Sequence, residues 1–258
     1  SASSRETLII TGTGSSIGTM ELMAKAFQKK HTDVTVQVLP SIGSTGGIKA
    51  VSEDKIDIGL SYRLLKPEEQ SAKIIAEPYG RTAFIFGVQD SNPTQGFTLA
   101  EIEEIYAGKR KTWPDGTLIR LTLRPVSDGF SAYLASINPG LKSASEKSHS
   151  TPGVFVGNTD QEAAVQIEKT PGSIGTTSSS IVASEKRKIK ALYVDGAAPT
   201  LANVSAGKYP FALTLYLVYK KEKYKGAIKD FVEFVFSVDG QKILSDNGHV
   251  ILSRIAGK

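Results

Sequence analysis

Thr11-Gly12-Thr13-Gly14-Ser15-Ser16 is the stretch of this sequence that decides its fold. It follows the apolar run Leu8-Ile9-Ile10 and precedes residues spaced as on a helix. Small side chains leave backbone N–H groups accessible, hydroxyls add donors, and a helix N-terminus carries partial positive charge. Two more stretches have this character, Ser41–Gly47 and Ser127–Gly129. Three such turns in one chain predict a pocket in which helix N-termini converge on a small anion.

Strand and helix patterns alternate around the first two turns. Met20, Met23 and Phe27 recur at helical spacing, and Val34–Val38 alternates as a strand. A third strand is predicted at Asp57–Ser61. This β-α-β-α-β order indicates a parallel sheet, and ligands of such sheets bind beyond the carboxyl ends of the strands.

The same kind of pattern begins again after a strand at Thr82–Val88. A helix is predicted at Leu99–Ala107, with Thr98 and Glu101 as a capping box, and a strand at Leu121–Arg124 leads into the third turn. Further predicted elements are helices at 161–168, 227–238 and 240–244 and strands at 173–175, 192–194, 209–219 and 250–252. Two similar halves joined by long strands predict an α/β protein of two Rossmann-like lobes with a ligand cleft between them. The expected lobes are 1–86 with 213–258, and 87–212.

Composition excludes several classes of function. The chain has 258 residues, 40% of them hydrophobic, and no apolar run near the roughly 20 residues of a membrane helix. Without cysteine there is neither thiol catalysis nor a cysteine metal site, and His31, His149 and His249 lack metal-ligand spacing. We therefore expect no metal and no cofactor. The chain begins at Ser1 without a signal-peptide core, so we expect that a natural export signal has been removed.

The net charge of +5 is spread along the chain. A nucleic-acid surface would need aromatic residues interleaved with the basic ones. Trp113 follows Lys109-Arg110-Lys111, but Pro114-Asp115-Gly116 makes that segment a turn. We expect no nucleic-acid partner, although a positive field helps to attract an anion.

Five side chains beside the turns are candidates for anion binding. Ser16, Ser44 and Ser127 can add a hydroxyl donor at a helix start, and the alternative for each is simple N-capping. Arg63 and Arg124 follow predicted strands, and the planar guanidinium fork suits oxyanions. The alternative for each arginine is an ion pair.

With these residues the chain resembles the periplasmic phosphate-binding proteins of ABC transporters, which are type II solute-binding proteins. Ile42–Lys49 is close to the family's Gly-Ser-Ser-Gly-Gly helix opening, and Asp57–Arg63 is similar to its Asp-x-Gly-x-Ser-Ser-Arg segment. Leu99–Gly108 with Trp113, and the turn Pro171–Gly175, are also similar to family segments. The resemblance covers nearly the whole chain and implies two α/β lobes joined by two hinge strands.

The resemblance also implies a function and a set of ligand residues. The function is that of a non-enzymatic, monomeric receptor, periplasmic or anchored outside the membrane, that delivers inorganic phosphate to an ABC permease. The implied first-lobe ligands are Ser15, Ser16, the N–H of Ile17, Ser44 and Ser61, with Arg63 close by. The implied second-lobe ligands are Arg124 as the main cation, Ser127, Asp128 and Gly129.

Two departures from the family pattern concern selectivity. The second-lobe turn of the family reads Ser-Gly-Thr, whereas this chain has Ser127-Asp128-Gly129. Tyr62 stands where some relatives carry an Asp that accepts the proton of hydrogen phosphate and so rejects sulfate. Asp128 can take over that role. The alternative is another oxyanion, such as sulfate, molybdate, tungstate or a phosphonate.

An enzyme is the alternative from another class. Thr11–Gly18 is close to the Thr-Gly-x-x-x-Gly-Ile-Gly turn of short-chain dehydrogenases, and Tyr216 and Lys220 have the spacing of their Tyr-x-x-x-Lys motif. However, Ser16 replaces a glycine of that turn, and no acidic residue follows the second strand. Tyr216 and Lys220 lie in a predicted strand, where positions four apart are about 13 Å apart. A hydrolase is also disfavoured because no histidine adjoins a Gly/Ser turn.

Overall fold

The computed structural model describes residues 5–254, which form two compact units. The first unit contains the described residues up to Thr82, Ala183–Glu185, and the described residues from Ala212 onward. The second unit contains Ala83–Val182 and Lys186–Phe211.

The described residues form strands and helices in alternating order. The strands are β1 (Glu6–Gly12), β2 (Val34–Val38), β3 (Ile58–Ser61), β4 (Ile74–Gln89), β5 (Gly96–Phe97), β6 (Arg120–Leu123), β7 (Phe155–Val156), β8 (Ser173–Ser178), β9 (Ile189–Ala191), β10 (Tyr193–Val194), β11 (Ala212–Lys220) and β12 (His249–Ile251). The helices are α1 (Gly14–Lys30), α2 (Gly43–Ser52), α3 (Leu99–Tyr106), α4 (Gly129–Ile137), α5 (Pro139–His149), α6 (Asp160–Lys169), α7 (Ser179–Ser184), α8 (Leu201–Ser205), α9 (Gly226–Phe236) and α10 (Val238–Asp246).

The sheet of the first unit has the order β2-β1-β3-β11-β4, with β12 also paired to β4. β1 is parallel to both β2 and β3, as the β-α-β-α-β pattern predicts. β11 is antiparallel to β3, and β12 is antiparallel to β4. The first two Gly/Ser turns therefore follow β1 and β2 at the same edge of the parallel part of the sheet.

The core of the first unit lies against α1. Met20, Met23 and Phe27 are fully buried because their spacing places them on one face of the helix. The ring of Phe27 makes edge contacts with Phe231 and Phe234 of α9, at centroid distances of 5.3 and 5.7 Å. This packing fixes the helix whose first turn carries Ser15 and Ser16.

Two glycines allow α2 to lie close to the sheet. A Cβ on Gly12, which has a φ of +154°, would lie 2.1 Å from the carbonyl oxygen of Leu60. A Cβ on Gly47 would lie 3.0 Å from the Cα of Gly12 and 3.2 Å from the carbonyl oxygen of Thr11. The glycine at position 47 therefore sets how closely the second turn approaches the first.

The sheet of the second unit has the order β4-β8-β6-β7, and β9 also pairs with β4. β6 is parallel to β7 and β8, whereas β4 is antiparallel to β8. α3 begins with the predicted capping box of Thr98 and Glu101. α4 follows β6 after the third turn, so Arg124 lies at the carboxyl end of β6.

Neither a membrane-spanning helix nor a metal-binding cluster occurs within residues 5–254. Within this range, no helix is both long and apolar enough to cross a membrane. No group of three or more His, Cys, Asp or Glu residues in the same range is arranged to hold a metal ion.

Candidate functional site

The first turn is capped by Thr13 rather than by Ser16. The Thr13 hydroxyl accepts a hydrogen bond from the Ser15 N–H at 3.3 Å, and the Thr13 carbonyl accepts from the Ser16 N–H at 3.2 Å. Ser15, Ser16 and Ile17 are all buried. Simple N-capping is therefore the wrong explanation for Ser16.

The Ser16 hydroxyl instead lies 2.7 Å from the hydroxyl of Tyr79 on β4. Both side chains are fully buried, and burial raises the pKa of Tyr79, so the phenol keeps its proton at neutral pH. Either hydroxyl can donate in this bond. When Tyr79 donates, the Ser16 proton is available to a second acceptor.

The second turn leads into a helix start without a side-chain cap. Ile42 occupies the N-cap position of α2 and makes no capping hydrogen bond. The Ser41 hydroxyl donates to the Gly12 carbonyl at 2.9 Å and accepts from the Gly43 N–H at 3.3 Å. The first turn of α2 is thereby fixed to the end of β1.

Ser44 lies in this first turn and is 6% exposed. Its hydroxyl oxygen accepts from the Tyr62 N–H at 3.1 Å. Within the described part of the chain, no acceptor faces the Ser44 hydroxyl proton. N-capping is thus wrong for Ser44 as well, and its O–H is free to donate to a ligand.

The end of β3 is a closed hydrogen-bonded turn. The Ser61 hydroxyl donates to the Arg63 carbonyl at 2.8 Å and accepts from the Arg63 N–H at 3.1 Å. Ser61 is fully buried. Its hydroxyl proton is therefore already used in shaping the turn.

Arg63 forms a forked ion pair with Glu69, with N···O distances of 2.8 and 3.0 Å. The guanidinium also donates to the Thr45 hydroxyl at 3.0 Å, which ties it to α2. The hydrogen bond from Arg63 lowers the pKa of Glu69. Arg63 is therefore in an ion pair, which was the alternative to ligand binding, since Glu69 balances its charge within the first unit.

Arg124 is buried at the end of β6, with 6% of its side chain exposed. Nε donates to the Gly157 carbonyl at 3.0 Å, one terminal nitrogen pairs with Asp128 at 3.0 Å, and the other pairs with Asp160. The guanidinium lies 5.7 Å from the centre of the Phe130 ring. Each of its three nitrogens thus has a partner, and two carboxylates surround one cation.

Asp128, rather than Ser127, caps the helix that follows the third turn. Its carboxylate accepts from the Phe130 N–H at 2.8 Å, whereas Ser127 is exposed in the turn and Gly129 begins α4. Burial raises the pKa of Asp128, the nearby Arg124 lowers it, and the nearby Asp160 raises it again, with a net upward shift. The carboxylate of Asp128 therefore takes up a proton at higher pH than an ordinary aspartate does.

The backbone of Arg124 is held by two residues that the sequence did not reveal. The Arg124 carbonyl accepts from the Ser131 hydroxyl at 3.0 Å and lies 2.8 Å from Nε2 of His149. The other ring nitrogen of His149 lies 2.8 Å from the Ser145 carbonyl. Both α4 and α5 therefore fix the position of Arg124, and the partner Asp160 comes from α6.

Each of the two units is built on a mixed sheet with helices after the parallel strands. This is the architecture of a solute-binding domain of the type II periplasmic binding protein class. The family model described as PBP superfamily domain matches residues 1–239, and the chain belongs to that superfamily.

Individual relatives agree with this assignment. The chain is 28% identical over 252 residues to the phosphate-binding protein PstS of Bacillus subtilis (strain 168), covering 94% of this chain and 80% of that one. It is 29% identical over 260 residues to protein SphX of Synechococcus elongatus, covering 92% and 76%. A phosphate ABC transporter substrate-binding protein of Clostridium perfringens, solved with bound phosphate, superposes with a TM-score of 0.81 at 26% identity, covering 96% and 100%.

These findings confirm the predicted fold class and the prediction of a non-enzymatic binding protein. The short-chain dehydrogenase alternative is wrong. Tyr216 and Lys220 both lie in β11, so they do not form the adjacent pair that helical spacing would give.

Proposed function

We propose that this chain binds inorganic phosphate outside the cytoplasmic membrane and delivers it to an ABC importer. The observation that carries the proposal is the buried Arg124 between two carboxylates, in a chain related to proteins named for phosphate binding. The proposed partner is the permease of that importer, and the proposed working form is a monomer.

The first unit supports the proposal because it offers hydrogen-bond donors to an anion. The start of α2 lacks a side-chain cap, and the Ser44 hydroxyl has its proton available. A helix N-terminus favours an anion through its N–H groups and its dipole. We propose that the hydroxyls of Ser15, Ser16 and Ser44 and the N–H of Ile17 bind phosphate oxygens at the starts of α1 and α2. Ser61 and Arg63 would hold this arrangement in place.

The second unit supports the proposal through a fixed cation. Arg124 cannot rotate freely because its nitrogens are bonded to Gly157, Asp128 and Asp160. A preorganised guanidinium loses little entropy when it binds an oxyanion. We propose that Arg124 is the main cation, with the exposed Ser127 and the amide of Gly129 as further donors.

Asp128 supports phosphate over sulfate. Its carboxylate is partly accessible, with 20% of the side chain exposed, and its pKa is raised by burial. A carboxylate beside an anion site accepts the proton that hydrogen phosphate carries, whereas sulfate has no proton at neutral pH and is repelled. Accepting the proton of hydrogen phosphate is the role that the sequence analysis gave as open to Asp128.

Calorimetric titration of the chain, stripped of bound ligand by unfolding and refolding, tests the proposal. We expect saturable binding of phosphate and no binding of sulfate or molybdate at the same concentrations. Binding of another oxyanion in place of phosphate would overturn the choice of ligand, and absence of binding by all of them would overturn the anion site itself. Light scattering with and without phosphate tests the monomer.

A further inference from the structure

A second cavity lies within the second unit, at the opposite end of β6 from Arg124. It has a volume of about 560 Å³ and is bordered by the end of α3, the start of β6, the start of β7 and one face of α6. Arg120 begins β6 and lines the cavity, whereas Arg124 follows the last residue of that strand. Four residues of strand separate the two by about 13 Å, so this cavity is distinct from the proposed phosphate site.

The charged groups around this cavity all have the same sign. Arg110, Lys111 and Arg120 line it, and no aspartate or glutamate is among its lining residues. Lys111 and Arg120 are exposed, and neither forms an ion pair with any residue in the range 5–254. Two cations without partners beside one cavity favour an anion as the occupant.

The backbone of the segments that carry these cations is hydrogen-bonded within the unit. The Ile119 N–H donates to the Lys111 carbonyl at 2.8 Å, and the Arg120 N–H donates to the Gly172 carbonyl at 2.9 Å. Arg110 is bonded to Glu101 and Glu104 at 3.2 and 3.4 Å. The backbone at this rim is therefore part of the hydrogen-bonded structure of the unit, and Arg110 is held by two glutamates.

The floor of the cavity is apolar. The half-buried Leu121 and Phe155 line it, with the almost fully buried Ile105 and Tyr106 behind them, and Gln166 and Thr170 add polar groups. An inorganic ion gains nothing from an apolar floor, whereas a ring or a branched chain removes this surface from water at about 25 cal/mol per Å². Such a mixture of apolar walls and a few polar groups is typical of small-molecule sites.

We propose that this cavity is a second ligand site, which binds a small organic carboxylate with an aromatic or branched apolar body. The carboxylate pairs with Arg120 and Lys111, and the apolar body lies on Leu121 and Phe155. Binding here is independent of phosphate, because Arg124 and Asp128 do not line the cavity.

The test is an NMR titration of the full chain labelled with ¹⁵N. Phosphate buffer is used so that phosphate competes with the probe for non-specific attraction to positive charges. The probe is 2-naphthoate, and its neutral counterpart is 2-naphthamide. We expect saturable shifts of the amides of Gly108, Gly153 and Gln166 with 2-naphthoate, and binding of 2-naphthamide that is weaker by roughly tenfold or more, because a charge-assisted bond is lost.

Variants locate the site. Arg120→Gln and Lys111→Gln each remove an exposed charge and are expected to weaken 2-naphthoate binding by roughly tenfold. Lys109→Gln removes a neighbouring exposed charge that does not line the cavity and is expected to leave binding unchanged. Equal affinity for the acid and the amide, shifts that do not saturate, or an effect of Lys109→Gln equal to that of Arg120→Gln would overturn the proposal.

Discussion

Arg124 and Asp160 form an ion pair in which both side chains are almost completely buried, 6% and 5% exposed. Removing the arginine would take away the cation that faces the buried Asp160 carboxylate, and breaking a buried ion pair typically costs about 3–5 kcal/mol of stability. An Arg124→Ala variant is therefore expected to lose stability as well as ligand binding, and a gentler substitution is needed to separate the two.

Arg124→Lys is that substitution. Lysine keeps the positive charge but lacks the planar fork that reaches Gly157, Asp128 and Asp160 together. We expect the affinity for phosphate to fall by roughly tenfold or more while the folded state persists. Calorimetry measures the affinity and urea unfolding the stability. Arg63→Lys is the comparison, because Arg63 lies outside the third turn and its fork is bonded to Glu69 and Thr45 of the first unit. A larger effect there would contradict the assignment of Arg124 as the main cation.

Asp128→Asn is expected to reduce the discrimination against sulfate. Asparagine still caps α4 but carries no charge to repel an unprotonated anion. The ratio of phosphate to sulfate affinity, measured by competition at neutral pH, is expected to fall by at least about tenfold. An unchanged ratio would show that Asp128 is only a helix cap.

The same variant has a pH signature. The pKa of Asp128 is raised in the folded chain, so the folded state holds this proton to higher pH than the unfolded state. Its contribution to stability is therefore greatest below the unfolded pKa of 3.8 and is lost as the pH rises through the folded pKa. We expect Asp128→Asn to gain stability relative to the wild type as the pH rises through this window. Asp115→Asn should change in the opposite direction, because the pKa of Asp115 is lowered by its bonds to Thr117.

His249 is expected to make the first unit sensitive to acid. Nδ1 lies 3.0 Å from the Leu244 carbonyl, and Nε2 is buried without a hydrogen-bond partner among residues 5–254. Burial lowers the pKa of His249 to about 4, so the unfolded chain binds the proton first as the pH falls. Stability should decrease between about pH 6.5 and pH 4, by up to about 3 kcal/mol from this group.

His249→Phe keeps a ring at this position and removes the titration. Urea unfolding across the same pH range should show a smaller loss of stability in the variant than in the wild type. Parallel curves for the two proteins would exclude His249 as a source of acid sensitivity.

Gly47→Ala is expected to destabilise the first unit and to move Ser44. The new Cβ would meet backbone atoms of Gly12 and Thr11 at 3.0 and 3.2 Å, and overpacking of this kind typically costs about 1–3 kcal/mol. Gly46→Ala is the matched control, because its Cβ meets only the side chain of Ile42, which is 49% exposed and can move. Thermal unfolding and phosphate affinity should both change in Gly47→Ala and remain close to the wild type in Gly46→Ala.

Periodicity predicted the elements whose buried face is built of large side chains. The stripe of Met20, Met23 and Phe27 identified α1, the short run Leu8–Ile10 identified β1, and the alternation of Val34–Val38 identified β2. α5 was not predicted, because its buried face consists of Leu141 and the small residues Ala144, Ser145 and Ser148. Asn138 before Pro139 was the available signal, since asparagine caps α5 and proline occupies its first turn.

The partners of the candidate residues could not be predicted, because they are distant in sequence. Ser16 meets Tyr79 63 positions away, and Arg124 meets Asp160 36 positions away. The capping role of Asp128 could be predicted, because Asp128-Gly129 directly precedes an apolar helix. Thr13 precedes α1 in the same way. The lobe boundaries and the set of phosphate ligands remain predictions.

β4 is one continuous strand from Ile74 to Gln89, and the division between the units falls between Thr82 and Ala83. The first unit needs β11 and β12, which are synthesised after the whole of the second unit. While the chain is translated, or translocated across a membrane N-terminus first, one edge of β3 therefore remains unpaired. It can pair only when Ala212 and the following residues have emerged. The second unit can complete its sheet earlier, so we expect the chain to fold out of sequence order, with the unit that begins first finishing last.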